Sequence, residues 1–133
     1  MDKKKLFIRL ATVILFIFFL NFIGSKFYWY YSVWYFDIIM HTLGGFWVAL
    51  AALWIFPTKE QKITYKYIIQ ILLIVLTIGI FWEFFEIFVN ETIAQNPFNI
   101  LDTVSDIFCD LAGGTFATIY FVKRIFIKEE NKL

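Results

Sequence analysis

An all-α integral membrane fold is what this sequence predicts, with four spanning helices in a single domain over residues 1–133. Three observations carry that prediction. The 133 residues are 61% hydrophobic, 23% aromatic and 17% charged, where soluble domains are roughly a quarter charged. Four apolar runs each approach the roughly 20 residues that cross a bilayer. The basic residues also collect at the ends of those runs, where the positive-inside rule can be applied.

The first run covers about residues 6–23. Lys3, Lys4 and Lys5 precede it, as in a signal peptide, but it has no small-residue cleavage site, so it reads as a retained span. The second run covers about 35–56, the third about 67–89 and the fourth about 101–122. Lys59, Lys62 and Lys66 fill the middle loop, and Lys123, Arg124, Lys128 and Lys132 follow the fourth run. With both termini and the middle loop cytoplasmic, every basic residue except Lys26 lies inside. The chain is then a multi-pass protein of the cell membrane whose outer loops are 24–34 and 90–100. The first outer loop holds FYWYYSVWYF, residues 27–36, an aromatic belt at headgroup level that also suits a lid.

Composition excludes several classes. A net charge of +1, with basic residues at segment ends and no patch, gives no nucleic-acid surface. The single cysteine, Cys109, allows no internal disulfide and reads as small core packing.

The charges inside the runs are the informative feature. Asp37, His41, Glu83, Glu86, Asp102, Asp106 and Asp110 all fall there. At 1.5 Å rise per residue, all seven lie within roughly 12 Å of the outer interface. Residues three and four apart share a helix face. Asp37, Met40, His41 and Gly44 therefore form one stripe, Glu83 and Glu86 another, and Asp102, Asp106 and Asp110 a third. Each stripe has the bundle interior as its destination, facing the extracytoplasmic side. An intramembrane charge costs about 2.5–3.5 kcal/mol at mid-bilayer, and no Lys or Arg stands at this depth. Bound protons or a bound metal must balance the acids. Carboxylates with one imidazole suit a divalent metal (zinc, manganese, magnesium or iron), with room for two ions. The metal set is Asp37, His41, Glu83, Glu86, Asp106 and Asp110.

DIIMHTLGGF from Asp37 and DIFCDLAGGTF from Asp106 share a template: Asp, three residues, His or Asp, two residues, Gly-Gly. A duplicated helical hairpin explains this, giving a parallel repeat about an axis normal to the membrane. Gly44, Gly45, Gly113 and Gly114 read as close helix-packing positions, with the crossing at Gly44 and Gly113. If His41 and Asp110 share an ion, their ligand atoms lie within roughly 4.5 Å of each other.

The order of these motifs resembles the VanZ-like proteins and the related YjdF-type membrane proteins. The resemblance rests on Asp37-x3-His41 with Gly44-Gly45, on Trp82-Glu83-x2-Glu86, and on Asp102-x3-Asp106-x3-Asp110 with Gly113-Gly114. VanZ-like proteins often have Gln where Glu86 stands and Asn where Asp110 stands, so this chain is more acidic. The resemblance implies a small multi-span protein of the cell envelope, linked in one member to glycopeptide resistance, and implies no particular reaction.

Three functions remain open at this point. The first is a metal-dependent hydrolase or headgroup transferase acting on a membrane lipid or polyprenyl phosphate, with Glu83 or Asp102 as base. The second is a channel or transporter for protons or metal ions. The inner halves of the spans argue against it, since FWVALAALWIF and TFATIYFV carry no ionisable residue, although a pore at a homodimer interface would escape that objection. The third is a non-catalytic envelope protein with a structural metal.

Overall fold

The computed structural model describes residues 3–57, 64–89 and 98–130, with side chains described as far as Phe121. The segments 58–63 and 90–97, which hold Lys59, Lys62 and most of the second outer loop, lie outside the described residues, as does Lys132. Within the described residues every element is helical: α1 (Lys3–Lys26), α2 (Trp29–Ser32), α3 (Phe36–Ile55), α4 (Tyr65–Val89) and α5 (Ile100–Glu130).

Helices are what apolar runs form in a bilayer, because a helix satisfies its own backbone where no water can. The threonines within these runs obey the same rule. Thr42 donates its hydroxyl to the Ile38 carbonyl at 2.7 Å and Thr118 to the Gly114 carbonyl at 2.8 Å, each within its own helix. α1, α3 and α4 are long and apolar enough to cross a membrane. α5 has the length, at 31 residues. Its three aspartates near one end and Lys123 and Arg124 towards the other make it more polar than the other three long helices. α2 is a one-turn helix in the aromatic loop that no periodicity signalled. It is entered through Tyr28, whose φ of 58° is left-handed, an unusual conformation for a residue with a Cβ.

Contacts fix the relative directions. The Phe7 ring lies 5.7 Å from that of Trp54, and the Trp47 indole donates to the Leu10 carbonyl at 3.0 Å, so α1 and α3 run antiparallel. The Tyr67 hydroxyl donates to the Phe56 carbonyl at 2.8 Å and ties the start of α4 to the end of α3. Val75 faces Gly114, while Gly79, one turn on, faces the Asp110 carboxylate, so α4 and α5 are antiparallel as well. α3 and α5 are therefore parallel and pack closely side by side.

Glycine makes that closeness attainable. A Cβ on Gly113 would collide with the Thr42 carbonyl, and one on Gly45 with the Asp110 carbonyl. The two backbones touch directly, as small residues allow in membrane bundles. The expected crossing at Gly44 and Gly113 is thus corrected to Gly45 and Gly113. A Cβ on Gly44 would meet only Asp110 Oδ1, at 3.8 Å, an ordinary contact. Gly114, the template counterpart of Gly45, packs on Val75 of α4 instead. Equivalent positions in the two segments therefore do not make equivalent contacts. Among the described residues α1 likewise packs only on α3 and α2, whereas α4 touches both α3 and α5. Below the crossing, Ala49, Leu50, Leu53, Ile71, Val75, Ala117 and Phe121 form a dry core. Dispersion between close-packed atoms holds it, since lipid tails are as apolar as leucine.

Candidate metal centre

Above that core, at the end where α3 and α5 begin and α4 ends, four carboxylates surround one imidazole. His41 is buried, at 6% exposure, because its position on α3 directs it into the α3–α5 contact one turn above Gly45. Its Nε2 lies 3.9 Å from Asp37 Oδ1, 3.9 Å from Asp106 Oδ2 and 4.0 Å from Glu86 Oε2. Its Nδ1, on the opposite edge of the ring, lies 3.5 Å from Asp110 Oδ1. The ring thus separates the acids into three on one nitrogen and one on the other.

Two triads have ligand atoms within 4.8 Å of one another: Asp37 with His41 and Asp106, and His41 with Glu83 and Glu86. They share His41, so four carboxylates from three helices converge on one small space. Spacing explains the convergence. Asp37 and His41 are one turn apart on α3, Asp106 and Asp110 one turn apart on α5, and Glu83 and Glu86 nearly one turn apart on α4. Gly79, one turn below Glu83, leaves the gap that admits the Asp110 carboxylate, since a Cβ there would lie 2.7 Å from Asp110 Oδ2.

Burial falls steadily across the cluster. His41, Glu83, Asp106 and Asp110 are buried. The side chains of Asp37 and Glu86 are 31% and 37% exposed, and Asp102 is exposed. The site therefore has a closed floor and an open mouth. Glu83 Oε1, on the floor, is buried without a hydrogen-bond partner among the described residues. An unpaired buried carboxylate oxygen carries a large desolvation penalty, which a bound cation would relieve.

Sequence reasoning placed all seven ionisable groups at one depth, and six of them meet. Asp102 stays at the rim, outside both triads. Cys109, at intermediate burial, is outside them too. Three contributors escaped the sequence reading. Gly79 carries no motif. Gly24 of α1 is pressed against the Phe36 ring and seats α1 beside the site. Tyr30 was one aromatic among eight in that loop, yet its ring packs edge-on to Phe36 at 4.8 Å between centroids and its hydroxyl donates to Asn21 Oδ1 at 2.6 Å. Burial, and then the negative charge of Asp37 and Glu86, push the Tyr30 phenol up to about 12, which keeps it a neutral donor. Asn21, a polar side chain near the end of an apolar run, was the available signal for that latch.

Neither a curated protein nor a solved structure matches this chain. A family model described as a predicted membrane protein matches residues 3–125. That match covers nearly the whole chain, and its membrane description agrees with the three long apolar helices. The chain belongs to the predicted membrane protein family DUF2238.

Proposed function

We propose that this protein is a four-span metalloprotein whose single divalent cation sits on His41 Nε2 and catalyses hydrolysis or transfer at a lipid headgroup in the outer leaflet. The observation that carries the reading is the convergence of three helices' carboxylates on one imidazole nitrogen, above an unpartnered Glu83 oxygen. His41 belongs to both triads, and a single histidine shared between them favours one ion over two. The ligands are His41, Asp37, Asp106 and Glu86, with Glu83 completing the set from the floor. Asp110 takes a different role from the one its template position suggested. From the far side of the ring it accepts the Nδ1 proton and leaves the Nε2 lone pair free for the metal, as outer carboxylates do for histidine ligands.

The open mouth supports catalysis over a purely structural ion, because structural sites are closed and catalytic ones keep a position for water or substrate. A bound divalent cation there would polarise a phosphoryl oxygen and acidify its water. Asp102, exposed at the rim and outside the ligand set, is then the group left to act as base. The dry core below the crossing argues against an ion path through the bundle.

Two measurements test this. In protein loaded with manganese, electron spin-echo spectroscopy should show one directly coordinated nitrogen, because the chain has a single histidine. The coupling should vanish in His41→Gln and persist in Asp110→Asn at affinity lower by about ten- to a hundredfold. Manganese bound without nitrogen coupling would remove His41 from the site. The orientation is tested separately, in a Cys109→Ala background. A cysteine at Asn96 should react with an impermeant thiol reagent on intact cells, and one at Gln61 should not. The reverse pattern would move the site to the inner leaflet.

A further inference from the structure

Headgroup charge follows from the site's own surplus of negative charge. Among the described residues six carboxylates stand at this end of the bundle, Asp37, Glu83, Glu86, Asp102, Asp106 and Asp110. One divalent cation offsets two of them. The four ion pairs at the cluster all run to His41, and a metal-bound imidazole is neutral. Among the described residues Lys26 is the one basic residue at this end. Lys3, Lys4, Lys5 and Arg9 sit at the other end, where Phe7 meets Trp54.

Anionic headgroups usually find arginine, lysine or a helix N-terminus. Both long helices that begin at the site already carry their own acid in the first turn, Asp37 on α3 and Asp102 on α5. Their positive ends are taken. A second, independent feature points to the opposite charge. Tyr30 is 38% exposed, Phe36 and Asn21 hold it in place, and its phenol lies close enough to Asp37 and Glu86 to feel their charge. An aromatic face beside carboxylates is the arrangement that holds an ammonium group. The orphaned oxygen of Glu83 shows that the pull for positive charge extends to the floor.

We infer that the mouth formed by Tyr30, Asp37, Glu86 and Asp102 receives a lipid whose headgroup carries an amine, and that it disfavours purely anionic lipids such as polyprenyl phosphates. The inference rests on the metal reading above and narrows its substrate class. In such a lipid the phosphate reaches the cation while the ammonium pairs with the rim, so each charge meets its complement. Asp102 is the rim acid outside the ligand set and so the one that can be neutralised without removing a metal ligand.

The test uses full-length protein in nanodiscs, loaded with manganese, and native mass spectrometry of the lipids retained. Phosphatidylethanolamine, phosphatidylglycerol and a polyprenyl phosphate are offered in equal amounts. Phosphatidylethanolamine should be retained about tenfold over phosphatidylglycerol, and Asp102→Asn should reduce that preference severalfold. Metal content and melting temperature of the variant, measured on the same sample, show that it is folded. Manganese bound with equal or greater retention of either anionic lipid overturns the amine inference and leaves the metal reading standing. Absence of bound manganese in the wild type overturns the metal reading itself. Displacement of the lipid by free ethanolamine at millimolar concentration would identify a soluble amine as the ligand and overturn the lipid assignment.

Discussion

Gly113→Leu should yield no folded protein. A Cβ at this position collides with the Thr42 carbonyl and lies 2.9 Å from the Phe46 amide nitrogen. Both obstacles are backbone, so no rotamer change relieves them. The helices must separate, and separation opens both the dry core beneath and the acid cluster above. Overpacking in a core typically costs about 1–3 kcal/mol. Here the loss extends to the whole α3–α5 contact and should exceed about 5 kcal/mol, a diagnostic magnitude for a single substitution. Gly45→Leu should behave alike, since its Cβ meets the Asp110 carbonyl. Gly44→Ala is the internal control. Its nearest obstacle is a side-chain oxygen at 3.8 Å, and its cost should stay within about 1 kcal/mol. Size-exclusion profiles and melting temperatures in detergent measure all three. A Gly113→Leu protein that melts like the wild type would mean that the helices do not cross there.

Removing the metal should produce the second large effect. Chelation leaves Asp37, Glu83, Glu86, Asp106 and Asp110 crowded around His41 with no counter-charge but its imidazole. Like charges in a low-dielectric site repel strongly. At low pH protons relieve the repulsion, and at higher pH they do not. The stability lost to a strong chelator should therefore deepen from pH 5 to pH 8. Several kcal/mol is the scale on which metal binding contributes to folding, so the melting temperature should fall by about 10 °C or more at pH 8. An unchanged melting temperature across that range would indicate that shared protons, not an exchangeable metal, balance the acids.

Much of this arrangement was legible in the sequence because the bilayer removes alternatives. An apolar run of roughly 20 residues has to be a helix, and carboxylates within it have to turn inward. His41, Asp106 and Asp110 were therefore found by periodicity alone. The ring's two edges were not. Helical spacing places His41 and Asp110 on facing stripes, yet it says nothing about which nitrogen meets which acid. That is set by the rotation of α3 against α5, through the Gly45 and Gly113 contacts. The offset of one residue at Gly45 has the same origin: the repeated template specifies the glycines, while packing against α4 decides which of them meets backbone. Tyr30 and Gly79 were hidden for a different reason. Each acts across a tertiary contact, on Phe36 and Asn21 in one case and on Asp110 in the other, and neither lies on a stripe of its own.

The central claim is a resident divalent cation on His41, and elemental analysis tests it most directly. Protein purified in detergent without added metal or chelator should carry close to one equivalent of a divalent metal per chain, as a single histidine shared by both triads implies. His41→Ala, purified in parallel, should carry well under a tenth of that if it folds, because the histidine both triads share is gone. Folded wild-type protein with no divalent metal, or metal content unchanged in folded His41→Ala, would contradict the account.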